Sequence, residues 1–419
     1  MSQKNLDEWL AYFESVHPST IDMGLSRVEA VRQRLNLVPK CPVITVSGTN
    51  GKGSVCAFLS KIYASAGFKV GTLTSPHLLR FNERIALNTV PVSDEEIVTS
   101  LERIEAARGD VSLTYFEMNA LAAVDVFDRA KVDVMVLEVG LGGRLDAVNV
   151  FDADCAVVTS VDLDHQAYLG DTVEAVAFEK AGIFRAGKPA VCGQNPVPES
   201  LAKHAASLGV PLSVYQQDFG YTKMEQQWRF SMGERNRHAL PLPALRGQYQ
   251  LANASCALAA IELMHAQLPI DIGAIKRGLV EVTNPGRFQV LPGRPTVVLD
   301  VGHNPHAARA LVSSLRLLPY AEKRIAVFAM LADKDIDSVI ELCKGEFDEW
   351  YVASLTEEPR GASAELLVQK LHDHGVTELK TFANVVEAYQ SALSNVSEND
   401  RITVFGSFFT VAKVLSIKG

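Results

Sequence analysis

No stretch of the sequence approaches the ~18 uninterrupted apolar residues of a membrane-spanning helix. The opening segment MSQKNLDEWLAYFESVHPST also lacks the basic flank and apolar run of a secretory signal, so a cytoplasmic chain is expected. CxxC spacing is absent. The six cysteines (Cys41, Cys56, Cys155, Cys192, Cys256, Cys343) are scattered, mostly in apolar runs such as DCAVVTSV, which argues against a zinc ribbon or disulfide framework and predicts reduced structural thiols. Positive charge is in deficit: 40 Lys and Arg against 49 Asp and Glu leave a net charge of −9. Bulk attraction to nucleic acid or an anionic membrane is thereby excluded, and any anionic ligand must be held locally. Neither an internal repeat nor a low-complexity tract is present. What remains is a chain of 419 residues, 47% hydrophobic and 21% charged, enough for two or three domains with sizeable cores.

Short β-branched runs alternate with helix-like stretches, the pattern of parallel sheets covered by helices on both faces. Strands are predicted at Pro42–Val46, Lys69–Leu73, Val132–Val139, Ala156–Val161 and Pro189–Cys192. Helices are predicted around Ser54–Ala66, Ser93–Ala107, Phe116–Ala130 and Thr172–Phe184. Residues 211–245 have strand-like spacing broken by turn residues, which predicts a small antiparallel extension, and a long helix follows through Gln248–His265. The segment VTNPGRFQVLPGRP (282–295) interrupts the pattern with three prolines and two Gly-Arg pairs. A second alternation follows, with strands at Thr296–Asp300, Arg324–Phe328, Glu349–Ala353 and Arg401–Phe405 and helices at Pro305–Leu317, Ser363–His374 and Phe408–Ile417. The expected fold is α/β: an N-terminal P-loop domain (1–284) with a doubly wound, mostly parallel sheet, and a smaller Rossmann-like domain (285–419). A cleft between them is the default ligand site.

The segment VITVSGTNGKGSVCAFLSKIYASAG is an apolar strand, a glycine-rich loop and a helix. Gly48, Gly51 and Gly53 let backbone N–H groups converge, and the helix N-terminus adds partial positive charge, together a nest for polyphosphate. Lys52 would supply a point charge to the terminal phosphates, and the Ser54 hydroxyl would reach a magnesium ion. The spacing departs from G-x-x-x-x-G-K-[ST], since Gly53 stands between Lys52 and Ser54. The plainer alternative is a flexible turn with a solvated lysine.

In VDVMVLEVGLGGRLDAVN, Glu138 lies near the end of a continuously apolar strand, where a carboxylate is costly unless paired, hydrogen-bonded or bound to metal. At the carboxyl end of a parallel sheet, beside a phosphate loop, magnesium is the natural partner. Gly140, Gly142 and Gly143 raise a rival dinucleotide fingerprint, weakened by Leu145 in the third glycine position. Asp162, Asp164 and His165 follow the next strand as a second candidate cluster, against the plainer reading of a turn and helix cap. On the helical wheel beyond, Val173, Val176, Ala177, Ala181, Ile183 and Phe184 share one face with Lys180 at its centre. Such a lysine snorkels, pairs with an anion, or loses its charge; a neutral amine also reacts with carbon dioxide to give a carbamate, a carboxylate-like metal ligand.

In order, TVSGTNGKGS, TSPHLLRFNERI, TYFEMNALAA, LEVGLGGRLDAVN, DHQAYLGDTVEAVAFEKAGIF, GQYQLANAS, PGRFQ, LDVGHNPHA and MLADKD resemble the folylpolyglutamate synthase and dihydrofolate synthase family, one of the Mur-type amide ligases. The resemblance spans residues 45 to 335 and continues weakly to FGSFFTVAKVL. It implies an ATP-binding central domain and a C-terminal glutamate-ligase domain. The implied reaction joins L-glutamate to dihydropteroate or to a folate's terminal glutamate through an acyl phosphate.

By the same resemblance, Asn50, Gly51, Lys52, Gly53 and Ser54 hold ATP, with Asn253, Arg287 and Asp300 completing its site. Arg287 falls at the domain junction, where its fork would clamp phosphate. Ser54, Ser75 and Glu138 match one magnesium site and His165 a second; Lys180 matches a carbamylated lysine. Thr114, Tyr115, Phe116, Glu117 and Leu145 match pterin contacts, and Lys334 and Ser407 would face the incoming glutamate. Lys52, Lys180 and His303 are the expected catalytic residues. Small molecules are the expected partners, with no nucleic acid and no membrane, and the family leans towards monomers. Two rivals stay open: a cell-wall Mur ligase, and a nucleotide switch that hydrolyses ATP without ligating anything.

Overall fold

The computed structural model describes residues 4–19 and 21–418. They divide into two compact units: the chain up to Ala244 with Leu251–Val282, and Leu245–Gln250 with everything from Thr283 onward.

The first unit is built on an eight-stranded sheet of β1 (Val43–Ser47), β2 (Val70–Leu73), β3 (Ile85–Leu87), β4 (Val90–Pro91), β5 (Val134–Glu138), β6 (Cys155–Val158), β7 (Ala190–Cys192) and β8 (Leu212–Val214), in the order β4-β3-β2-β5-β1-β6-β7-β8. From β2 to β8 neighbours are parallel, and only the β3 and β4 hairpin runs antiparallel. The apolar runs VITVS and VMVLE are buried along their whole length, as strands covered on both faces must be. β1 lies between β5 and β6, and the chain leaves β1 towards β2 on one side but later reaches β6 on the other. The carboxyl end of β1 is therefore the switch point, where open α/β sheets bind ligands.

Residues 211–245 do carry an antiparallel sheet, β9 (Phe219–Lys223), β10 (Gln227–Met232) and β11 (Arg235–Pro241), after the short parallel strand β8. Buried Trp228 anchors it, its indole N–H donating to the Pro241 carbonyl at 2.9 Å. The predicted strand Ala156–Val161 ends instead at Val158, because Thr159 and Ser160 turn their hydroxyls towards the loop after β1.

The second unit has a six-stranded sheet: β12 (Gln289–Leu291), β13 (Thr296–Asp300), β14 (Arg324–Phe328), β15 (Glu349–Ala353), β16 (Leu379–Phe382) and β17 (Arg401–Phe405), in the order β12-β13-β17-β14-β15-β16. All pairs are parallel except β12 with β13. Its core includes Phe328, Phe347, Trp350 and Phe405, with Phe328 and Phe405 centroids 5.1 Å apart. β12 lies inside the segment that reads as a break, an edge strand tolerated between the prolines.

All six cysteines are free; five are buried and Cys41 is partly so. Among the described residues no helix is long and apolar enough to cross a membrane.

Candidate active site

The loop after β1 opens the helix Lys52–Ser65, two residues earlier than Ser54, with Gly51 as its left-handed cap at φ +90°. Lys52 is thus the first helical residue and buried Ser54 the third. Lys52 Nζ folds over the loop, donating to the Gly48 carbonyl at 2.9 Å and the Thr49 carbonyl at 3.4 Å. The loop is latched to the segment after β6. Thr49 N donates to the Ser160 carbonyl at 2.8 Å, and the Thr159 hydroxyl donates to the Asn50 carbonyl at 2.6 Å. Ser160 Oγ receives Asn50 N at 3.1 Å, and Thr49 Oγ1 donates to the Asp162 carbonyl at 2.9 Å.

Two glycines are required here for space as well as backbone angle. A Cβ on Gly51 would stand 2.6 Å from Asn253 Oδ1, so the helix Gln250–Leu263 brings Asn253 against the loop. A Cβ on Gly48, whose φ is +148°, would lie 1.9 Å from Thr159 Oγ1. The Gly48→Ala variant is therefore expected to break the Thr159–Asn50 latch and weaken ADP binding by about tenfold or more, checked by calorimetry, with little change in circular dichroism.

Glu138 ends β5 and is 3% exposed. Its Oε2 accepts Ser75 N at 3.2 Å, which places Ser75 beside it. The loop beyond is gathered by Glu83, whose carboxylate accepts Leu78 N, Leu79 N and Arg80 N at 2.7–2.8 Å.

Lys180 is 4% exposed on the helix Val173–Ala181. The wheel places it in the core correctly but errs at Val173, 36% exposed in the first turn. Burial pushes the Lys180 amine down to about 7; the charge of Lys52 acts in the same direction, against the attraction of Asp164 and Asp146. The amine is thus available in neutral form near pH 7.

The glycines after β5 serve close packing, Gly140 against Phe116, Gly142 against Leu169 and Gly143 against this helix. A Cβ on Gly143 would stand 2.8 Å from the Glu179 carbonyl and 3.0 Å from that of Lys180, while Arg144 N donates to the Glu179 carbonyl at 2.8 Å. Asp146 has no role from sequence pattern, yet it is buried beside this cluster. It accepts Leu141 N at 2.8 Å and Val148 N at 3.0 Å, and burial raises it to about 7 against those amides and the pull of Lys52.

Asp164 and His165 form a turn ahead of the short helix Gln166–Leu169. His165 is exposed, in the left-handed region at φ +51°, and its N–H donates to Asp164 Oδ1 at 2.8 Å. Among the described residues no three His, Cys, Asp or Glu side chains gather as a metal cluster. Glu138, with Ser75 held beside it, instead suits a magnesium ion bound largely by phosphate and water.

Thr114 caps the helix Tyr115–Ala130 in a reciprocal box with Glu117. Glu117, 3% exposed, is also held by both Nε and Nη2 of Arg27, at 3.3 and 3.1 Å. Tyr115 meets Phe81 edge-on at 5.8 Å, Phe116 packs on Gly140, and Leu145 stays partly exposed.

In the second unit, Asp300 ends β13 and accepts Phe288 N and Gly302 N at 2.8 Å. Asn304 caps the helix Pro305–Leu315 that follows. Arg287 lies over the Phe408 ring at 4.6 Å, and His303 Nδ1 is 3.0 Å from the Val301 carbonyl with its ring 6.2 Å from Phe408. Ser407, 3% exposed, caps the helix Phe408–Ser416, while Lys334 lies in the turn before Ile336–Cys343.

Two family matches cover most of the chain: Mur ligase middle domain over residues 46–261 and Mur ligase, glutamate ligase domain over residues 286–408. The chain is 42% identical over 413 residues to the dihydrofolate synthase/folylpolyglutamate synthase of Escherichia coli (strain K12), covering 98% of this chain and 95% of that one. Its fold matches E. coli FolC in complex with DHPP and ADP with a TM-score of 0.94 at 42% identity, over 99% of this chain and 98% of that chain. The bifunctional folylpolyglutamate synthase/dihydrofolate synthase of Yersinia pestis complexed with AMPPNP and Mn ion matches with a TM-score of 0.92 at 44% identity, over the same 99% and 98%. With both Mur ligase domains matched and 42% identity maintained over nearly the whole length of both chains, this chain belongs to the dihydrofolate synthase/folylpolyglutamate synthase family.

Proposed function

We propose that this chain is an ATP-dependent amide ligase that adds L-glutamate to 7,8-dihydropteroate and to the γ-glutamyl tail of folates, acting as a cytoplasmic monomer. The observation that carries this reading is the placement of Lys52 at the head of a helix on the switch-point loop, within electrostatic reach of Lys180 and Asp146.

A carboxylate does not acylate an amine at neutral pH, because oxide or hydroxide is a poor leaving group. In the proposed reaction an oxygen of the acid attacks the γ-phosphorus of ATP, the bond to ADP breaks with its electron pair, and an acyl phosphate forms. The glutamate amine then attacks the carbonyl carbon, loses a proton and expels inorganic phosphate. Gly51, Gly53 and Ser54 offer backbone amides to the polyphosphate, with Asn50 and Asn253 flanking the loop, and the family resemblance adds Arg287 and Asp300 to the nucleotide's contacts. Lys52 exchanges the Gly48 and Thr49 carbonyls for phosphate oxygens. Ser54, Ser75 and Glu138 would hold one magnesium ion and His165 a second, with a carbamylated Lys180 as a further anionic ligand. Bound magnesium offsets charge on the transferring phosphoryl group.

Thr114 to Glu117 and Leu145 line the pterin's place. Lys334 and Ser407 face the glutamate carboxylates, and His303 stands near the amine as a proton acceptor. Domain 1–284 would activate the acid and domain 285–419 present the amine.

Phosphate release by the purified protein tests this. Turnover should require both L-glutamate and either dihydropteroate or a reduced folate, and sedimentation should give the mass of one chain. ATP turnover indifferent to both co-substrates, or turnover supported only by a UDP-linked muramyl acid, contradicts it.

A further inference from the structure

The turn Phe81–Arg84 closes the loop that begins at Thr74, through Thr74 N donating to the Arg84 carbonyl at 2.9 Å. Because Ser75 N is fixed on Glu138, this closure carries the Arg84 side chain to the carboxyl edge of β5. Arg84 Nε donates to His77 Nδ1 at 2.7 Å. Its guanidinium carbon lies 5.5 Å from the Tyr115 centroid and 5.7 Å from that of Phe81, and His77 meets Phe81 at 6.2 Å. Two rings and an imidazole thus hold the fork in one place, so little conformational freedom is lost when it binds.

No carboxylate of the described residues hydrogen-bonds to this cation. Nε is used by His77, and among the described residues the guanidinium makes no other side-chain hydrogen bond, its terminal nitrogens lying at a half-buried position. Nearby Glu83 has committed its oxygens to Leu78, Leu79 and Arg80. Glu138 and Tyr115 act on Arg84 only as electrostatic neighbours, opposing the downward pull of burial on its pKa. A guanidinium partly withdrawn from water, held through Nε and two rings so that its terminal N–H groups are not committed to a protein carboxylate, presents a fork to an oxyanion beside the strand-end Glu138.

We infer that Arg84 is an anion-binding residue of the active site, which grips the reacting carboxylate of the acid substrate and retains that group as the acyl phosphate, with His77 as its positioning residue. The inference rests on the ligase reading. His77 acts through its Nδ1 lone pair, which receives the Arg84 Nε–H; the ring hydrogen therefore sits on Nε2. An asparagine at position 77 places an amide oxygen near the same point, whereas alanine leaves Nε without a partner.

The test is steady-state ligation by the full chain with dihydropteroate, ATP and L-glutamate. Ligation by the unaltered protein secures the parent reading; its absence sinks that reading whatever Arg84 does. Given ligation, Arg84→Gln should lower kcat/KM for the acid by about 100-fold or more, leave ADP binding by calorimetry unchanged, and lose more than Arg84→Lys. His77→Ala should raise the acid KM, with His77→Asn restoring most of the loss. Acid kinetics unchanged in Arg84→Gln overturn the inference. So does a parallel fall in ADP affinity, or His77→Asn as impaired as His77→Ala, since each marks a structural role.

Discussion

Lys52→Ala is expected to lower ATP turnover by about 10³-fold while leaving the melting temperature within a few degrees. The asymmetry follows from what Lys52 touches. Among the described residues its ammonium bonds the Gly48 and Thr49 carbonyls of its own loop, and it is not fully buried, so little packing is lost on truncation. In the proposed nucleotide complex the same ammonium would be the mobile charge at the terminal phosphates, worth several kcal/mol where water is excluded. Stopped turnover with intact folding, read by phosphate release and thermal denaturation, is the signature; activity close to that of the unaltered chain removes Lys52 from the chemistry.

Lys180→Ala should be nearly as damaging, at about 10²-fold or more, but with a different signature. If a carbamate on Lys180 supplies the anionic charge, formate or acetate should restore part of the activity of Lys180→Ala and none of that of Lys52→Ala. The pH dependence has a definite sign. Carbon dioxide adds only to the neutral amine, and burial sets the amine's pKa at about 7. The carbamate is therefore favoured above about pH 7 and is lost as the amine takes up a proton below it. An acid limb near neutrality, shifted by added bicarbonate, is the expected profile. Native mass spectrometry should find the added mass of carbon dioxide at pH 8; a bare amine there contradicts the carbamate.

Legibility in the sequence follows the range of the interactions. The strands VITVS and VMVLE read directly because burial on both faces leaves an unbroken apolar run, and the phosphate loop reads because its glycines stand between such a strand and a helix. The α/β class with an antiparallel extension is therefore visible before any coordinates. Elements set by tertiary pairing are not. The β3 and β4 hairpin has two exposed residues in β4 and no apolar alternation, and β12 hides among prolines. Thr159 and Ser160 extend a β-branched run, yet their hydroxyls serve a loop more than a hundred residues away in sequence and end the strand early.

The same divide runs through the candidate site. Lys180 announces itself as a charge centred on an apolar face. Asp146 and Arg84 do not, because what distinguishes each is a set of neighbours assembled by a turn. Asp146 draws the amides of Leu141 and Val148, and Arg84 finds His77 seven residues back. The three glycines after β5 work in the opposite sense, mimicking a cofactor fingerprint while allowing close packing: Gly140 on the Phe116 ring, Gly142 on Leu169 and Gly143 on the carbonyls of Glu179 and Lys180.

The central claim is that the acid itself is phosphorylated before the amine arrives, and isotope transfer tests it most directly. Dihydropteroate carrying ¹⁸O in its carboxylate is incubated with ATP, magnesium and L-glutamate, and the released phosphate is analysed by mass spectrometry. Activation through an acyl phosphate delivers one ¹⁸O from the acid into each phosphate released with product. Amide formation accompanied by unlabelled phosphate would contradict it.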